Sequence, residues 1–94
     1  MSPNIEVTNN VADSQFEIRA DGGTAKLAYS ERDGKLYIIH TEVPKALEGQ
    51  GYAGALAKAA LEHAKANDLR VIPWCPFVQS WLRRHPEYES LVEQ

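Results

Sequence analysis

Between Gln15 and Glu31 apolar side chains return at every second position. Phe16 and Ile18 oppose Glu17 and Arg19, and Ala25, Leu27 and Tyr29 share one parity further on. A period of two is the mark of a strand with one buried face. Asp21-Gly22-Gly23 and Asp33-Gly34 interrupt the pattern, and such pairs supply the positive-φ residues of tight hairpins. The pattern therefore predicts strands over Gln15–Ala20, Thr24–Glu31 and Lys35–Val43, joined as an antiparallel meander. In the third, Leu36, Ile38 and His40 fall on one face, and Tyr37, Ile39 and Thr41 on the other. Apolar residues on both faces predict a central strand covered on both sides. Ile5–Thr8, ended by Asn9-Asn10, predicts a short edge strand after a loose start over Met1 to Asn4.

Beyond Val43 the period changes. Ala53, Leu56, Ala57, Ala60, Leu61 and Ala64 recur at helical spacing and predict a helix over Gly51–Ala66, ended by Asn67-Asp68. Its alanines favour the helix and let it lie close to a sheet. Leu69–Ile72 reads as a short strand, stopped by Pro73 and Pro76. Phe77–Arg84 reads as a short helix with Phe77, Trp81 and Leu82 turned inward, and Pro86 to Val92 as a final turn or short helix. Strand, glycine-rich turn, helix and strand form a βαβ unit, whose crossover is right-handed and whose strands are parallel. The expected architecture is α+β: an antiparallel meander, one βαβ unit and a short C-terminal helix, in a single domain spanning residues 1 to 94.

Composition narrows the function. Ninety-four residues bury one modest core, and 44% apolar with 24% charged residues is ordinary for a globular chain. A net charge of −3 gives no basic field for a nucleic acid. No apolar run approaches the ~20 residues of a membrane span, and no signal-peptide pattern opens the chain. A lone cysteine, Cys75, makes no internal disulfide, which fits a reducing, cytoplasmic setting. No Cys/His cluster has metal-ligand spacing, so no metal is expected.

The chemistry concentrates around the crossover. Gly49-Gln50-Gly51-Tyr52-Ala53-Gly54 lies between a strand and a helix, where free N–H groups and the helix dipole suit an anion. The bland alternative is a tight connection and nothing more. No Gly-Lys-Ser/Thr follows, so it is not a P-loop, and there is no second nucleotide half for a dinucleotide. Cys75, pinned between Pro73 and Pro76 past a strand end, is either a small buried hydrophobe or a nucleophile. His40 is either a core histidine or a base, and Glu42, on the same side, is a second candidate base. His63 reads as structural or solvated, and His85 as capping local structure. Arg83-Arg84 is either a solvated pair or a phosphate contact, with Lys58 as its competitor. Trp74, Trp81 and Tyr88 read as the aromatic filling of a small core.

Val43-Pro44 followed by Glu48-Gly49-Gln50-Gly51-Tyr52-Ala53 resembles the acyl-CoA-binding motif of the GNAT superfamily of N-acetyltransferases, Gln/Arg-x-x-Gly-x-Gly/Ala. Gly51 and Ala53 match it, while Glu48 stands where Gln or Arg is usual. With His40-Thr41-Glu42, Pro73-Trp74-Cys75-Pro76-Phe77 and Arg84-His85-Pro86-Glu87-Tyr88, the chain is similar from about Gln15 to Val92 to very short, single-domain members that carry a cysteine after the second parallel strand.

The resemblance implies a minimal GNAT-like fold and acetyl transfer from acetyl-CoA to an amine, directly or through acetyl-Cys75. Backbone groups around Thr41 and Val43 would pair with the pantetheine arm. Amides of Gly49, Gln50, Gly51, Tyr52, Ala53 and Gly54 would hold the pyrophosphate, and Arg84 a phosphate. Cys75, His40 and Glu42 would surround the thioester. The expected partners are a CoA thioester and an amine acceptor, the chain acting as a monomer or weak homodimer without nucleic acid or membrane. A non-catalytic CoA-binding module and a plain interaction domain are the rival readings.

Overall fold

In the computed structural model, which describes residues 5 to 93, five strands form one sheet. They are β1 (Thr8–Asn10), β2 (Gln15–Ala20), β3 (Gly23–Arg32), β4 (Lys35–Glu42) and β5 (Arg70–Pro73), in spatial order β1-β2-β3-β4-β5. The first four are antiparallel neighbours, and β4 and β5 are parallel. Helix α1 (Tyr52–Ala66) makes the crossover, and helix α2 (Pro76–Arg83) follows β5. The α+β meander and βαβ unit are thus as the periodicity predicts, each within a residue or two.

Both helices pack on one face of the sheet. Leu56, Ala57, Ala60, Leu61 and Ala64 of α1 are wholly buried against Phe16, Ile18, Ala25, Leu27, Leu36 and Ile38. Three alanines in that stripe let the helix lie close to the sheet between the two leucines. Fully burying Leu56 or Leu61 contributes about 1.5–3 kcal/mol each before entropy is counted. Val78 and Trp81 bring α2 into the same core, where Phe77 and Leu82 are only partly buried.

Four expectations change. The edge strand is Thr8–Asn10 and not Ile5–Thr8; Asn9 and Asn10 continue the ladder because Tyr29 donates to the Asn9 amide at 2.7 Å and Asn10 caps the turn Val11–Asp13. The proposed loose start over Met1 to Asn4 lies outside the described residues. Second, β4 is not covered on both sides. Among the described residues no element crosses the reverse face, where Ile39 and Trp74 stand 44% and 56% exposed. Third, Trp74 is therefore not core filling, although Trp81 and Tyr88 are buried.

Fourth, His40 does not share a face with Leu36 and Ile38. Ala28 registers with His40, but the adjacent Tyr29 registers with Ile38, so Ile39 is an extra residue in β4. Such a bulge reverses the parity of everything after it. Thr41, opposite buried Leu27, turns to the helix-covered face, while His40 and Glu42, opposite Ala28 and Lys26, turn to the open one.

The outer edge of β5 is closed by the chain's own end. Val92 bridges Val71, the Glu93 N–H donates to the Val71 carbonyl, and Arg70 grips the carbonyls of Ser90 and Val92.

On the open face Glu17 is only 6% exposed, roofed by its neighbours' side chains. Gln15 and Asn10 donate to its carboxylate and Arg19 pairs with it at 3.4 Å, which together hold it below its ordinary value of 4.5 against the opposing effect of burial. A depressed carboxylate contributes stability above its unfolded value, and that contribution is lost as pH falls through the folded value. Thermal melts of Glu17→Gln should therefore show a shallower loss of stability below about pH 4.5 than the parent. Parallel pH profiles would remove that role from Glu17.

Candidate active site

β4 and β5 pair only from Lys35↔Arg70 to Ile38↔Pro73. The Ile38 carbonyl then receives the N–H groups of both Trp74, at 2.9 Å, and Cys75, at 3.1 Å. The chain turns off the sheet there, while β4 runs on through Glu42 with no β5 partner. Pro76 holds the preceding residue extended, and Cys75 (φ −75°, ψ 121°) becomes the N-cap of α2. Its thiol is 3% exposed, and Sγ lies 3.4 Å from Thr41 Oγ1 across the gap between the strands. The bulge at Ile39 is what turns Thr41 toward it.

Next to this gap a cleft of about 400 Å³ opens between the end of β4, the start of α1 and α2. Val43, Gly49, Gly51, Tyr52, Ala53, Gly54 and Arg84 all line it. Gly49 and Gly51 have φ of +80° and +82°, the left-handed region that glycine enters without strain. Neither has a heavy atom within 4 Å of where a Cβ would stand, so the backbone there is bare.

The first helical N–H to bond backward is that of Ala55, to the Gly51 carbonyl at 3.1 Å. The N–H groups of Tyr52, Ala53 and Gly54 have no backbone acceptor among the described residues, and no side chain caps them. Three donors and the positive end of a 15-residue helix thus face the cleft.

Trp81 forms the opposite wall. Its indole stacks on His85 at 3.8 Å and on Tyr88 at 5.6 Å, and His85 Nδ1 is 2.8 Å from the Trp81 carbonyl. The Tyr88 hydroxyl donates to Glu62, and that bond, with burial, pushes the phenol up to about 12. The helix start lies close to this wall: a Cβ at Gly54 would stand in ordinary contact with Trp81 Nε1, at 3.6 Å.

The other candidates disperse. Gln50 is exposed and bends back to the Ala46 carbonyl at 3.5 Å. His40 is exposed on the open face, and Glu42 beside it pairs with Lys26 at 3.4 Å. Arg83 lies away from this cleft, on a groove behind α2 shared with Pro73 and Leu82. Lys58 lines a smaller recess that meets the first at Gly54, Trp81 and His85. His63 ties α1 to Glu31 at 2.7 Å, beside a recess at the β1 end. Sequence reasoning missed Leu47, Phe77, Trp81 and His85 as lining residues, while Glu48, placed in the motif, does line the cleft. Trp81 and Phe77 were read as inward, a reading that does not say inward against what.

The profile of the family described as GCN5-related N-acetyl-transferase matches residues 15–91. This chain belongs to that family. It is also 36% identical over 89 residues to Protein NATD1 of Xenopus tropicalis, covering 90% of this chain and 81% of that one. Against Protein NATD1 of Bos taurus the identity is 38% over 86 residues, with 87% and 75% covered. A GCN5-like protein of Staphylococcus aureus, known from its solution structure, superposes with a TM-score of 0.73 at 31% identity, covering 96% of this chain and 89% of that chain. No helix among the described residues is long and apolar enough to cross a membrane.

The burial of Cys75 has a direct readout. A bulky disulfide reagent should label the native thiol far more slowly than the unfolded one, and Thr41→Ala should speed native labelling several-fold by removing the side chain across the gap. Equal rates for native and denatured protein would show that the thiol is open.

Proposed function

We propose that this chain transfers an acetyl group from acetyl-CoA to an amine. The observation that carries the reading is the adjacency of two unsatisfied backbone elements: the free edge of β4 beyond Ile38 and the uncapped N–H groups at the start of α1. A cofactor with an amide-bearing arm and a pyrophosphate needs both at once. Backbone groups of Thr41 and Val43 serve the arm, amides from Gly49 to Gly54 serve the pyrophosphate, and Arg84 serves a phosphate. Gln50, turned away through its side chain, contributes only its backbone.

The thioester belongs at the gap where Thr41 and Cys75 meet. By the covalent route the Cys75 sulfur attacks the thioester carbonyl, CoA leaves as its thiol, and the amine then takes the acetyl group from Cys75. By the direct route the amine attacks the thioester from the open face, where His40 and Glu42 stand to take its proton. A binding module without turnover remains the second reading, because none of the four clefts described is lined by His40 or Glu42.

Calorimetry tests the cofactor. Gly51→Val places a branched side chain on the bare backbone, so CoA affinity should fall about tenfold or more. Glu48→Gln removes an anion from the cleft and should strengthen binding a few-fold. The second variant strains no backbone, so it reports even where Gly51→Val is poorly folded. Unchanged affinity in both would move the site elsewhere. Intact mass after incubation with acetyl-CoA separates the routes: one hydroxylamine-sensitive acetyl group, absent in Cys75→Ser, supports the covalent one. Full acyl transfer by Cys75→Ser leaves direct attack.

A further inference from the structure

Helix α2 stands between two openings. Phe77, Trp81 and Arg84 wall the cleft beside α1, while Gln79, Leu82 and Arg83 line a separate groove of about 650 Å³. Residues three and four apart share a helix face, which is why Gln79, Leu82 and Arg83 go together. Pro73 lines the groove from β5, and Pro86, Glu89 and Val92 line it from the turn Pro86–Leu91 and the residue after it. No residue lines both openings. The groove falls within the roughly 300–1,000 Å³ of small-molecule sites.

The lining combines three kinds of group. Pro73, Leu82 and Val92 are half-buried and, with Pro86, make it largely apolar. Arg83 and Glu89 are exposed and opposite in charge. They lie beyond ion-pair distance of each other, and neither has an ion-pair partner among the described residues. Gln79 is the third kind. Its amide nitrogen donates to the Pro73 carbonyl at 2.9 Å, which fixes the side chain and leaves its amide oxygen without a donor among the described residues. That bond also occupies the Pro73 carbonyl, and Pro73 has no N–H, so a partner strand finds no ladder to join here.

A cation and an anion held apart on an apolar lining match a ligand with opposite charges at its two ends. A free amide oxygen adds a place for an N–H. We propose that this groove is a second ligand site, taking a dipeptide with apolar side chains and free termini. The carboxylate meets Arg83, the ammonium meets Glu89, and the peptide N–H donates to the Gln79 oxygen. The side chains cover Leu82, Val92 and the two prolines. Single contacts of exposed charges are weak, so recognition depends on engaging both ends at once. The site is independent of the acetyltransferase reading, since it shares no lining residue with the cleft.

Titration of Leu-Leu onto the full chain, followed by two-dimensional NMR, tests the site. Backbone amides of Gln79, Leu82, Arg83 and Glu89 should shift and saturate. N-acetyl-Leu-Leu and Leu-Leu amide each lack one terminal charge and should bind about fivefold more weakly. Arg83→Gln should bind the free dipeptide and its amide alike, and Glu89→Gln should bind the free and acetylated forms alike. Both side chains are exposed, so neither change threatens the fold. Glu48→Gln, in the cleft, should leave Leu-Leu affinity unchanged. Ser-Ser should bind far more weakly than Leu-Leu. Four results would overturn the proposal: no shifts at these residues, equal binding of free and blocked forms, equal binding of Ser-Ser, or tighter binding of the doubly blocked dipeptide. The last would mark the groove as a dock for an internal segment of a partner protein.

Discussion

One carbonyl decides where the site is. The Ile38 oxygen accepts from Trp74 and from Cys75, so the two residues that would have continued β5 are drawn to one point and the ladder ends. The prolines on either side act differently from a simple break. Arg70 directs its N–H to the β4 side and Val71 its carbonyl to the outer side, so by alternation Pro73 presents its missing donor to the outer edge. Gln79 satisfies the Pro73 carbonyl there at 2.9 Å. Pro76 keeps Cys75 extended and starts α2 in the same residue pair. The gap, the buried thiol and the helix that walls the cleft thus share one origin.

Most of the architecture was legible because local chemistry and global packing agree. Asp21-Gly22-Gly23 and Asp33-Gly34 turn where those residues turn best, and the alanine stripe of α1 leaves it no face to bury except one against a sheet. The reversal in β4 was not legible. Leu36 to Ile39 are apolar on both faces, so nothing in the pattern shows a change of parity, and no glycine marks the bulge at Ile39. An unbroken period of two therefore sends His40 inward and Thr41 outward, the opposite of what the register does. Trp74 was misread for a related reason. An aromatic residue in a small domain is expected inside, but with both helices on one face, the reverse face has nothing to bury it against.

The cleft was read more fully than its walls. Glycines at 49 and 51 announce themselves through a left-handed backbone that glycine adopts most cheaply, and the uncapped start of α1 follows from the lack of Ser, Thr, Asp or Asn before Tyr52. Trp81 and His85 carry no such signal, because their place depends on the path of α2 after Cys75. Residue type told that Trp81 packs and had His85 only as a local cap, and the fold alone told that both stand beside an opening.

The closure of β5 by residues Ser90 to Glu93 bears on how the protein keeps company with itself. A strand whose outer carbonyls and amides face water is a template on which another strand can grow, and β5 is the sheet's edge on that side. Here the Val71 carbonyl is occupied by Glu93 and the Arg70 guanidinium is spent on the carbonyls of the same tail, so that side presents little to recruit a stray chain. Proline at Pro73 blunts what remains. The tail is held by a handful of polar contacts at the rim, so it is the piece most easily peeled off. Displacing those residues, as by a protease cut before Ser90, would trade a capped edge for a sticky one before the cleft was disturbed.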